Sequence, residues 1–94
     1  MSDGLTNYIP DAAIEKINIL NKYKDLLSSM YDKTNKTQRQ SIRKAFVLAV
    51  NAHKDMRRKT GEPYIYHPLA VAKIVSKEIN LGTTSVICAL LHDV

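Results

Sequence analysis

The chain has 94 residues, which allows one small domain with a modest core. Apolar residues make up 45% and the net charge is +5, a balance that suits a globular fold over a disordered chain and favours anionic partners: nucleotides, nucleic acid or membrane surfaces. No apolar stretch approaches membrane-spanning length, and Met1-Ser2-Asp3-Gly4-Leu5 lacks the basic start and apolar run of a signal peptide, so a reducing cytoplasm and no membrane contact are expected.

Residues 1–10 read as a polar lead ending at Pro10. A first helix is predicted from Asp11 to Tyr31, with the Asp11 charge in the first turn, where it suits the helix dipole. Ala13, Ile17, Leu20, Tyr23, Leu27 and Met30 form an apolar stripe along it at steps of three and four. After a polar connection, a second helix is predicted from Lys36 to Arg58, with Ile42, Ala45, Phe46, Ala49, His53 and Met56 on one face. Lys59-Thr60-Gly61-Glu62-Pro63 breaks it. Tyr64-Ile65-Tyr66 is expected to be extended, partly because the residue before Pro68 avoids the helical region. A third helix begins with His67 at or near the N-cap and Pro68 at the first helical position. It runs through Leu69, Ala72, Ile74, Val75 and Ile79 to a stop at Gly82. Thr83 or Thr84 caps a fourth helix that continues to the end. It is apolar on most sides and so is expected to be central. Cys88, alone and in that apolar run, is expected to be buried and inert. The fold class is all-α, with about four helices.

The chain closes on Leu91-His92-Asp93-Val94, and an adjacent His-Asp pair can hold one divalent metal. A second candidate ligand, His67, lies 25 positions upstream. Helices three and four are of similar length, roughly 18–20 Å at 1.5 Å per residue, and are joined by a short connection. They are therefore expected to pack antiparallel, which brings His67 towards His92 and Asp93. Imidazole and carboxylate suit manganese, iron or zinc, and three ligands leave positions open for water and phosphate. In the bland alternative, His67 caps a helix and His92 packs. His53, on the buried face of helix two, is either a fourth ligand or, as favoured, a histidine behind the ligands that orients other groups.

Ala52-His53, Arg58-Lys59-Thr60-Gly61-Glu62-Pro63-Tyr64-Ile65, His67-Pro68-Leu69-Ala70-Val71-Ala72 and Ala89-Leu90-Leu91-His92-Asp93-Val94 together resemble the N-terminal hydrolase domain of the RelA/SpoT family, which makes and degrades guanosine tetra- and pentaphosphate, (p)ppGpp. The resemblance covers roughly Ile42 to Val94. It implies an HD-domain-like helical bundle, here the N-terminal part of that domain over residues 11–94, incomplete at the C-terminus. It implies manganese held by His67, His92 and Asp93. It implies a (p)ppGpp site in which Arg58 lies against the guanine, Lys59 lies near phosphate, Thr60 keeps the hydroxyl of the family's usual serine, and Tyr64 lines the pocket. The implied reaction is metal-dependent removal of the 3′-diphosphate, in a parent that in some members also acts as a GTP pyrophosphokinase of the stringent response. Lys54-Asp55-Met56-Arg57 departs from the family's Gly-Gln-containing stretch. The family's acidic pair and its last aspartate ligand would follow Val94, so this fragment is expected to be inactive, with weak or absent metal binding. Helix four, bearing Val86, Ile87, Ala89, Leu90, Leu91 and Val94, is expected to be exposed and to drive self-association through residues 83–94.

Two other readings fit parts of the sequence. A non-enzymatic basic helical module binding nucleic acid accounts for the charge, but no clear recognition helix gathers the basic residues and direct nucleic-acid contact is not expected. A regulatory module with a degenerate metal site is the other.

Overall fold

The computed structural model describes residues 8–78 and 81–94, so the first seven residues of the polar lead and Ile79 lie outside it. The described residues form four α-helices: α1 Ala12–Met30, α2 Lys36–Ala52, α3 Tyr66–Ser76 and α4 Thr83–Leu91, with a short 3-10 turn at Tyr31–Lys33. The class is all-α, as the spacing of apolar residues implies. α3 packs against both α1 and α4, and α4 packs against α2, so α3 and α4 form the middle of the bundle. The core holds Leu26 and Met30 of α1, Ile42, Ala45, Phe46 and Ala49 of α2, Leu69 and Ala72 of α3, Val86, Ala89 and Leu90 of α4, and Ile65 just before α3.

Local chemistry fixes the helix ends. Asp11 lies outside the first turn of α1 as its N-cap, and its carboxylate accepts from the Ala13 and Ile14 amides. Asn35 and Gln38 close a reciprocal capping box at the start of α2. α2 does not run to Arg58; it ends at Ala52 with His53 as C-cap. The backbone then turns back on itself, with the Tyr64 amide donating to the Met56 carbonyl and the Arg58 amide to Glu62. This antiparallel hairpin takes the hydrogen bonds that a longer helix would have used. Met56 is consequently exposed instead of sharing the buried face.

The third helix also differs at its start. Tyr64 and Ile65 form a turn and are not extended: the Tyr66 amide donates to Pro63 and the His67 amide to Tyr64. Ile65 is the N-cap, so His67 and Pro68 fall at the second and third helical positions. Proline is tolerated there because first-turn amides have no intrahelical partner. Ile74 is 64% exposed, opposite the face that carries Leu69 and Ala72. α3 stops at Ser76, three residues short of Ile79, and Gly82 serves as the N-cap of α4 instead of ending α3. Neither Thr83 nor Thr84 caps α4 through its side chain.

Burial corrects three further expectations. In the first half of α1 the inward residue is Glu15, while Ala13, Ile17 and Leu20 are exposed. The helix turns that face inward because Glu15 meets Arg57 from the hairpin: Nη1 and Nη2 donate to the two carboxylate oxygens at 2.7 and 2.8 Å, and the Tyr8 hydroxyl donates to Oε2. Cys88 is exposed, because α4 directs Val86, Ala89 and Leu90 inward and leaves the cysteine on the outer face. α4 is covered more fully than expected: those three residues are buried by α2 and α3, Ile87 and Leu91 are half-buried, and Val94 is exposed.

Hydrogen bonds from Arg57, and next from Tyr8, hold the Glu15 carboxyl at about 2 against an ordinary 4.5. A carboxyl whose folded value is depressed stabilises the fold fully above its ordinary value, and that contribution fades as pH falls through the folded one. Glu15→Gln is expected to lower the thermal midpoint by about 5 °C or more at neutral pH, as for loss of a charged hydrogen-bond set in a domain this small. The gap between the two proteins should narrow as pH falls from 4.5 towards 2. Calorimetric melts across that range check this, and a gap independent of pH would contradict it.

Candidate functional site

The end of α4 lies beside the start of α3. The His67 and His92 rings are 5.6 Å apart between centroids, in an edge-on arrangement. One ligand atom each from His67, His92 and Asp93 lie within 4.8 Å of one another. Donors that share a first-row ion at about 2.1 Å sit about 3–4.2 Å apart, so a shift of under about 1 Å completes the fit. His67 is half-buried, while His92 and Asp93 are exposed, which leaves the cluster open to a ligand from solvent.

Hydrogen bonds orient the cluster. His92 is the C-cap of α4, and its Nδ1 lies 2.6 Å from the Ala89 carbonyl oxygen. A carbonyl only accepts, so Nδ1 carries the proton and the Nε2 lone pair faces outward. That lone pair lies 3.0 Å from Asp93 Oδ2. Two lone pairs so close are favourable only with a cation or a proton between them, a requirement that a divalent ion can meet. The Tyr64 hydroxyl donates to the same Asp93 oxygen at 2.5 Å. That bond is the main reason the Asp93 carboxyl is held below its ordinary value and the Tyr64 phenol above its own.

His53 is 3% exposed and reaches the cluster through Tyr64, whose ring lies 4.8 Å away, centroid to centroid. Its Nδ1 is 3.2 Å from the Met56 thioether, which can only accept. Nε2 is therefore left as a buried acceptor, and it has no hydrogen-bond partner among the described residues. An orphaned acceptor at this place fits a site that receives a further group.

The basic residues lie in the hairpin after α2, not on the end of that helix. Arg58, Lys59, Thr60, Glu62 and Tyr64, with Arg57, line an open groove of about 640 Å³. Gly61 turns the tip with a positive φ of 98°, and its amide donates to the Arg58 carbonyl. The Thr60 hydroxyl donates to Glu62 at 3.2 Å. Tyr64 thus belongs to both parts: it walls the groove and binds Asp93. The sequence marks Tyr64 only as a pocket residue. Its second bond, to Asp93 across 29 positions, and the role of Glu15, which meets Arg57 across 42, depend on contacts that no local pattern encodes.

A protein-family comparison matches residues 45–94 to the HD domain model. The chain belongs to the HD domain family. Its relatives include proteins named guanosine-3′,5′-bis(diphosphate) 3′-pyrophosphohydrolase from Vibrio cholerae and bifunctional (p)ppGpp synthase/hydrolase SpoT from Escherichia coli, each 46% identical over 57 residues. A GTP pyrophosphokinase of Myxococcus xanthus is 46% identical over 52 residues. These alignments cover 61% of this chain for the first two and 55% for the third, but only 7–8% of the relatives, so this HD-family chain spans a small part of their length. No solved structure matches. Among the described residues, no helix is long and apolar enough to cross a membrane.

Tyr64→Phe keeps the ring packing and deletes the hydroxyl that holds Asp93. Loss of a partner that orients a ligand is expected to weaken divalent metal binding by about 10–100-fold with little change in melting temperature. Titration with Mn²⁺ followed by water proton relaxation measures this, and unchanged affinity would count against the role of the hydroxyl.

Proposed function

We propose that this chain supplies the metal-binding and nucleotide-binding parts of a manganese-dependent (p)ppGpp 3′-pyrophosphohydrolase. The observation that carries the reading is Tyr64, which joins a cationic groove to a His-His-Asp cluster. The substrate is one that combines a flat base with many phosphate charges, which is the chemistry the two parts can recognise. The relatives' names suggest the particular nucleotide.

In this reading His67, His92 and Asp93 hold the ion. When bound, manganese polarises phosphate oxygens and lowers the pKa of water. Arg58 offers a planar, permanently charged face for the guanine, and Lys59 a mobile point charge for phosphate. Thr60 presents a hydroxyl at the hairpin tip, and Tyr64 closes the wall between nucleotide and ion. His53 contributes a buried acceptor behind Tyr64 that can take a proton-bearing group. The proposed parent protein can carry a GTP pyrophosphokinase activity as well.

His92→Ala and Arg58→Ala separate the two parts. His92→Ala is expected to lower Mn²⁺ affinity by at least about 100-fold, through loss of one of three ligands. Arg58→Ala is expected to leave Mn²⁺ affinity in place and to weaken binding of guanosine 3′,5′-bis(diphosphate) by about tenfold, the scale of one charged contact. Isothermal titration with each ligand checks both. Nucleotide binding that ignores both substitutions would sink this assignment.

A further inference from the structure

The hairpin from Arg57 to Pro63 has no core of its own: all seven residues are exposed or only half-buried. Its shape rests on the Arg57–Pro63 pairing, the Arg58-to-Glu62 and Gly61-to-Arg58 hydrogen bonds, the Thr60-to-Glu62 side-chain bond, and a tether to the rest of the fold. The tether is Arg57. Its Nη1 donates to Glu15 and, at 2.7 Å, to the carbonyl of Gly61 at the tip, while Nη2 donates to the other Glu15 oxygen. One guanidinium therefore fixes the hairpin's first strand, its tip and α1 relative to one another. The bidentate geometry suits arginine and leaves lysine a poorer substitute. Tyr8 adds a second hold. Its hydroxyl donates to Glu15, and its ring lies so close to Gly61 that an added Cβ would approach it to 3.2 Å.

We propose that Arg57, held by Glu15, is a positioning residue that sets the conformation of the hairpin, so that affinity for the anionic nucleotide depends on the pair while metal affinity does not. This rests on the function proposed above for Arg58, Lys59 and Thr60. Both terminal nitrogens of Arg57 are engaged within the protein, so it acts through its neighbours. Glu15 carries a negative charge and sits buried on α1, and it cannot favour a phosphate by direct contact. An acidic residue whose removal weakens anion binding is the signature of this arrangement.

The test compares the wild-type chain with Glu15→Gln, Arg57→Ala and Arg57→Lys. Three quantities are measured: Mn²⁺ affinity, affinity for guanosine 3′,5′-bis(diphosphate) with Mn²⁺ present, and amide hydrogen exchange at Arg58 and Gly61. Glu15→Gln and Arg57→Ala are expected to weaken nucleotide binding by about tenfold and to speed exchange at those two amides. Mn²⁺ affinity should stay within about twofold, because its donors lie on α3 and the end of α4. Arg57→Lys should recover part of both losses. The proposal is overturned if Arg57→Ala weakens nucleotide binding while Glu15→Gln leaves binding and exchange unchanged, since Arg57 would then touch the ligand itself. Equal losses of metal and nucleotide affinity would also overturn it, as general unfolding. If the wild-type chain binds Mn²⁺ but no nucleotide, the substrate reading fails, and exchange decides the tether: faster exchange confined to the hairpin upholds it, and unchanged exchange refutes it. Should Arg57→Ala fail to fold, Glu15→Gln and Arg57→Lys, which keep side-chain volume, carry the same comparison.

Discussion

The packing of α3 against α4 is the constraint on which the rest of the molecule depends. Two histidines 25 positions apart meet only because a short connection folds two helices of similar length back on each other. Leu69 and Ala72 on one helix and Val86, Ala89 and Leu90 on the other belong to the same buried cluster. The apolar core and the His67, His92 and Asp93 cluster are therefore one design at two ends of a helical hairpin. α1 closes over α3 and α2 over α4, and each brings one more polar group to the site: Glu15 behind the basic hairpin and His53 behind Tyr64.

Polar interactions in this small domain are arranged in chains. His92 donates from Nδ1 to the Ala89 carbonyl, which turns Nε2 towards Asp93, and Asp93 accepts from the Tyr64 hydroxyl. Tyr64 in turn packs against both His53 and His67. The second chain runs from Tyr8 through Glu15 and Arg57 to Gly61. In each, a carboxylate that accepts side-chain hydrogen bonds, Glu15 from Arg57 and Tyr8 and Asp93 from Tyr64, is held below its ordinary pKa. Fixing such groups ahead of time removes freedom that a ligand would otherwise have to restrict.

Much of this was legible in the sequence because it is local or periodic. The steps of three and four in α2 mark Ile42, Ala45, Phe46, Ala49 and His53 as one face, and all five are buried. The His-Asp pair and the antiparallel hairpin place His67 beside His92 and Asp93. What escaped is what tertiary contact decides. The apolar spacing of α1 points to Ala13, Ile17 and Leu20, but a bidentate bond to Arg57 turns Glu15 inward, and the exposed apolar side chains are the cost. Periodicity carries α2 on to Arg58, whereas the hairpin offers residues 56–64 a competing set of backbone hydrogen bonds. The outward position of Cys88 could not be read from an apolar run in which every neighbour looks alike.

The two caps of α2 have a consequence for how this region can change. Asn35 and Gln38 fix where the helix begins, and His53 closes it after 17 helical residues. Each added or removed residue would rotate one end against the other by about 100° and shift it by about 1.5 Å. A single deletion anywhere between the caps would swing the buried imidazole away from Tyr64 or pull the capping box out of register. α2 thus acts as a ruler of fixed length. Its exposed positions, such as Lys44 and Leu48, are free to drift in identity, while its residue count is not.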